Sequence, residues 1–171
     1  MGAFLLFLLE PLIAKMILPR LGGTPAVWNT CMVFFQAALL GGYAYAHATT
    51  AWLGVRRQAL LHLALLLLAL LALPVHVAGW APPVSSDPIP WLLSLLVVSV
   101  GLPFFVVSAS APLLQVWFGG TTHPAARDPY FLYGASNLGS MLALLGYPAF
   151  VEPFLSLTRQ RIDWAISYGV L

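Results

Sequence analysis

The chain has 171 residues, of which 61% are hydrophobic and 7% charged, and seven Lys/Arg against five Asp/Glu leave a net charge of +2; its mean hydropathy is +0.92. A soluble domain carries about 25% charged residues, so this composition excludes a water-covered globule and requires an outward surface that meets lipid or other apolar protein. The charges are scattered with no long basic run, which excludes electrostatic capture of nucleic acid.

A hydrocarbon core about 30 Å thick needs about 20 apolar residues per helix, and on that ruler the chain divides into one all-α membrane domain, residues 1–171. The first helix is expected over residues 2–18, stopping at the turn signal Pro19-Arg20-Leu21-Gly22-Gly23. Its apolar start lacks the basic flank and the small-residue cleavage site of a signal peptide, and Glu10 interrupts it, so a membrane helix is expected. The second covers residues 25–49, with Pro25 at a helix start where its missing N–H does no harm. The third covers residues 58–77 and contains a leucine-rich run. The fourth, residues 90–118, holds Pro103 and Pro112, which predict a broken or kinked helix. The fifth covers residues 129–150, and a partial sixth begins at residue 161 and reaches 171. The apolar runs are long and do not alternate, which excludes a β-barrel.

Trp28, Trp80, Trp91, Trp117, Tyr130 and Trp164 fall near expected helix ends, the interfacial placement of aromatic residues. Arg56, Arg57 and Arg127 lie on one side of such a bundle and Arg20, Arg159 and Arg161 on the other, with the loop at Asp87 free of basic residues. The positive-inside tendency therefore favours the Arg56-Arg57 side as cytoplasmic.

Charged groups at membrane depth need a partner, water or protonation, which makes Glu10 the strongest pointer to function, either as a substrate or proton site or as a structural hydrogen-bonding group. Lys15, five residues on, is about 140° round the helix and is expected to snorkel towards the interface. Asn29 and Gln36 share a face of the second helix, Ser108 and Gln115 one of the fourth, and Tyr133, Asn137 and Ser140 one of the fifth. These stripes are expected either to line one polar interior or to tie helices together. Small residues at four-residue spacing, Ala38, Gly42 and Ala46 and again Ala135, Gly139 and Ala143, are expected at close helix contacts.

No cofactor or metal is expected. His62 and His76 have the spacing of two haem ligands on one helix face, about 21 Å apart, but a matching pair on a second helix is missing. The single cysteine, Cys31, cannot form an internal disulfide and reads as a packing residue. Nucleotide-binding, zinc-protease and redox motifs are absent, and no Ser, His and acid come together by periodicity. The expectation is a protein that is not an enzyme.

Three strings carry a resemblance: Glu10-Pro-Leu-Ile-Ala-Lys15-Met-Ile-Leu-Pro-Arg-Leu-Gly-Gly23, Pro25-Ala-Val-Trp-Asn-Thr-Cys-Met-Val-Phe-Phe-Gln36, and Asp128-Pro-Tyr-Phe-Leu-Tyr-Gly-Ala-Ser-Asn-Leu-Gly-Ser140. From Phe4 to Tyr168 the chain resembles the membrane region of bacterial spermidine synthase-like proteins, including fused major-facilitator and spermidine synthase proteins. The resemblance implies a major-facilitator-like half in the bacterial inner membrane, corresponding to a truncated front part of a longer architecture. Many members end in an aminopropyltransferase-like domain that these residues do not include, so aminopropyl transfer is not implied. Two functions follow as expectations: transporter-like handling of a small polar or cationic solute, or a non-catalytic accessory subunit packed among other membrane chains.

Overall fold

In the computed structural model, which describes residues 1–82 and 87–171, the chain forms five helical stretches, and no strand occurs among the described residues. Helix α1 is Gly2–Leu21. Helix α2 is Pro25–Leu70, bent at Gly54 into a first arm, residues 25–53, and a second arm, residues 55–70. Helix α3 is Pro88–Gly119. Helix α4 runs over residues 130–154, and α5 is Leu157–Gly169. Three of these, α1, α2 and α3, are long and apolar enough to cross a membrane, and their outward faces suit contact with a lipid bilayer.

Helix α1 sits at the centre. Leu5, Leu9, Leu12, Ile13 and Ile17 are almost completely buried, and α1 packs on α3, α4 and α5. The second arm of α2 folds back on the first, because Tyr45 and His62 bring their ring centroids within 6.1 Å; seventeen residues of straight helix would separate them by about 25 Å. Gly54 makes this reversal alone, with φ 68° and ψ 164°, a backbone state that side chains strongly disfavour. The expected loop over residues 50–57 is therefore a single residue. Arg56 and Arg57 belong to the second arm, where their exposed side chains extend outward.

Both arms of α2 lie against α3. At Gly42 a Cβ would fall 1.9 Å from Ser108 Oγ and 3.1 Å from the Phe105 carbonyl, so the first arm and α3 meet almost backbone to backbone. Ala46 is buried at the same contact and Ala38 is half-buried. On α4, Gly139 lies against the Phe4 backbone and Ala143 is fully buried, whereas Ala135 is exposed.

Several boundaries differ from expectation. Helix α1 continues through Pro19 to Leu21 and stops at Gly22, whose N–H donates to the Leu18 carbonyl. The α2 helix ends at Leu70 rather than at residue 77, because Pro74 has no N–H to donate and disfavours helical geometry at the residue before it. His76 thus lies outside the helix, and the expected face shared with His62 does not exist. Helix α3 begins at Pro88 under an Asp87 cap, its side chain accepting from the Ile89 N–H at 3.0 Å. It does not break at its prolines: a π turn, Val97–Gly101, ends two residues before Pro103 and takes up the missing hydrogen bond. Helix α4 repeats the device, with a π turn at Tyr147–Val151 two residues before Pro153.

The last helix starts four residues earlier than expected, at Leu157, where the Ser156 hydroxyl accepts from the Arg159 N–H at 3.3 Å. Trp164 is a buried internal tie rather than an interfacial anchor, since its indole N–H donates to the Leu5 carbonyl at 2.8 Å. Arg20 donates to the Ala78 carbonyl at 2.6 Å and Arg161 to that of Val75, so both hold the chain beyond Leu70 at one end of the bundle.

Substituting Gly54→Ala is expected to lower stability by about 1–2 kcal/mol through the left-handed backbone. Gly42→Ala should cost about 1–3 kcal/mol by forcing α2 away from α3. Thermal unfolding of the purified variants in detergent, against wild type, checks both values.

Candidate functional site

Two cavities run along one side of α1, between the first arm of α2 and α4. The two walls pack on α1 or α3 but make no extended contact with each other, so the seam between them stays open. The first cavity, about 570 Å³, contains Glu10, Lys15 and Gln36, together with Trp28, Phe35 and Tyr147. The second, about 540 Å³, contains Ser108, Asn137 and Ser140 beside Phe7, Leu39 and Tyr43. Leu144 lines both, so they abut on α4.

Lys15 does not snorkel freely. Its Nζ lies 2.9 Å from Glu152 Oε1, and the two side chains are 35% and 46% exposed. The π turn before Pro153 precedes this carboxylate directly and sets where α4 presents it beside α1. Glu10 is half-buried, and among the described residues it makes no hydrogen bond or ion pair. The cavity thus holds two acidic side chains and one ammonium, and Glu10 is the acid without a partner among the described residues.

The three polar stripes do not meet at one interior. Glu10, Lys15 and Gln36 share one cavity, and Ser108, Asn137 and Ser140 share the other. Asn29 is exposed on the outside of α2, Gln115 is half-buried but lines neither cavity, and Tyr133 is exposed beside Tyr130, ring centroids 6.1 Å apart. On α2 Gln36 lines the first cavity, whereas Asn29, exposed about one turn from the start of the helix, does not.

Sequence reading missed Glu152, Trp28 and Tyr147 as partners of Glu10 and Lys15, because they come from other helices and no periodicity links them. It also missed a buried polar cluster under the Gly54 bend. Gln58 is fully buried, and its amide N–H groups donate to the Thr49 and Thr50 hydroxyl oxygens at 2.9 and 2.7 Å. The Trp117 indole N–H donates to Gln58 Oε1 at 3.0 Å. An indole N–H can only donate, which fixes the orientation of the amide. His62 Nε2 lies 3.1 Å from Ser110 Oγ, whose hydroxyl donates to the Val106 carbonyl; the serine oxygen therefore accepts from Nε2–H. This cluster fastens the two arms of α2 to α3. A glutamine beside two arginines gave no sign of burial. No group of three His, Cys, Asp or Glu residues that could hold a metal occurs among the described residues.

Comparisons with protein-family models, with curated proteins and with solved structures find no match to this chain. What fold and site define is an all-helical chain with three membrane-length apolar helices and an open seam lined by the acidic Glu10.

Gln58→Leu strips the indole of Trp117 and two threonines of their shared partner, and is expected to destabilise by about 1–3 kcal/mol. Trp117→Phe, which also removes the orphaned donor, should cost less when combined with it than the two single losses added. A double-mutant cycle read by thermal unfolding in detergent checks this coupling.

Proposed function

We propose that the chain is a transporter-like membrane protein of the spermidine synthase-like kind, in which the seam between α2 and α4 admits a small polar or cationic solute. The two arms of α2 then cross the bilayer separately, α4 adds a fifth crossing and α5 a partial sixth, giving a major-facilitator-like half. The Arg56-Arg57 end faces the cytoplasm of a bacterial inner membrane. The observation that carries the reading is Glu10, a carboxylate in a 570 Å³ cavity of a bundle whose other acid there, Glu152, is already paired. An unpaired intramembrane acid is costly unless a ligand, proton or water meets it.

A second reading, an accessory subunit packed within a larger membrane complex, is favoured by the outer face of α4. Phe131, Leu138, Leu142, Leu145 and Phe150 are all exposed there, and in this reading another chain covers them.

Isothermal titration of the purified protein with a panel of organic cations, from small amines such as putrescine to bulky amphipathic ones, separates the two. The transporter reading expects saturable binding of at least one of them that Glu10→Gln weakens at least about tenfold, which is about 1.4 kcal/mol. Indifference to Glu10→Gln, with the chain recovered only in fixed stoichiometry with other membrane proteins, overturns it in favour of the subunit.

A further inference from the structure

We infer that the Glu10 cavity selects a singly charged organic cation with a bulky apolar body, rather than a small hydrophilic amine, a polyamine or a metal ion. The inference rests on the transporter reading above and deepens it.

Charge sets the first limit. Glu10 and Glu152 line the cavity with Lys15, and Lys15 is bound to Glu152 at 2.9 Å, so Glu10 is the one acid left to meet a ligand's charge. A second positive charge would have to break that ion pair or stay unmatched in a low-dielectric site, a costly placement for any charge. A bare metal ion would need several oxygen donors. The side chains here offer one free carboxylate and the Gln36 amide.

The walls set the second limit. Trp28, Phe35 and Tyr147 bring three aromatic rings to the same cavity as Glu10, and Pro11, Leu18, Met32 and Leu144 complete an apolar lining. The Tyr147 hydroxyl donates to Gln160 Oε1 at 3.0 Å, so this tyrosine offers the cavity its ring and not its hydroxyl. Aromatic faces attract organic cations whose charge is spread and weakly hydrated, and about 570 Å³ falls within the range of sites that enclose a drug-sized ligand. A small hydrophilic amine would neutralise Glu10 and leave the rings and aliphatic walls without contacts. The cavity also opens on the seam between two membrane helices, where an amphipathic cation is already concentrated by the bilayer.

The test is equilibrium binding of tetraphenylphosphonium to the full chain in detergent micelles, with putrescine, methylammonium and neutral triphenylphosphine oxide as comparison ligands. Wild type is expected to bind tetraphenylphosphonium at least about tenfold more tightly than any of the three. Glu10→Gln is expected to remove most of that preference over the neutral compound. Trp28→Leu keeps the carboxylate and removes an aromatic face at a residue that is 45% exposed, so folding should tolerate it; it is expected to weaken tetraphenylphosphonium several-fold and methylammonium less. Circular dichroism and gel filtration establish that each variant is folded, and Trp28→Leu decides the matter if Glu10→Gln is not. Glu10-dependent binding of putrescine or methylammonium without tetraphenylphosphonium overturns this inference and leaves the transporter reading standing. Absence of any Glu10-dependent cation binding overturns both. Tetraphenylphosphonium binding that is equal in wild type, Glu10→Gln and Trp28→Leu reports partition into the micelle and overturns the inference.

Discussion

Hydrocarbon cannot hydrogen-bond, so each peptide group of a chain this apolar has to find its partner within the protein, and many of the polar side chains serve that requirement. Gln160 donates to the Leu155 carbonyl where α4 ends, Tyr168 to that of Leu66, Trp164 to that of Leu5, and Arg20 and Arg161 to carbonyls of the extended stretch beyond Leu70. Ser99 accepts from the Ala78 N–H on the same stretch. These bonds link helices distant in the chain, so satisfying the backbone and assembling the bundle are one process. A polar residue outside this scheme therefore stands out, and Glu10 is outside it.

Two of the helix prolines are accommodated by the same rule. Pro103 and Pro153 each withdraw one donor from a helix, and in each case the preceding turn widens to π geometry instead of the helix parting. In α3 the widened turn contains Ser99, whose hydroxyl oxygen accepts from the Ala78 N–H. In α4 it brings Tyr147 and Glu152 onto α1 beside Lys15 and the Glu10 cavity. The site owes its shape to where prolines fall in α4 as much as to the residues that line it.

The sequence made the helical class legible because apolar runs of membrane length leave few alternatives, and starts were legible where a cap precedes an apolar run, as at Thr24-Pro25. The two arms of α2 were expected as separate helices, but the tightness of their turn was hidden by Arg56 and Arg57, which read as a polar loop although Gly54 alone reverses the chain. Helix α4 forms where expected, yet it is not among the three helices apolar enough to count as membrane spans, since Ser136, Asn137 and Ser140 dilute it. Within the site, Glu10 and Gln36 could be singled out because polar groups in apolar runs are conspicuous. Their neighbours could not, because Lys15 and Glu152 are 137 positions apart and helical periodicity orders only residues on one helix.

The one-residue turn at Gly54 also bears on how the chain is built into a membrane. With no loop between its arms, the reversal offers nothing for a protease to grip and no slack by which one arm could enter the bilayer before the other. Gln58 reaches back to Thr49 and Thr50 across the bend as soon as both arms exist. On the transporter reading, residues 25–70 therefore insert as one helical hairpin, and its orientation is settled once for both arms.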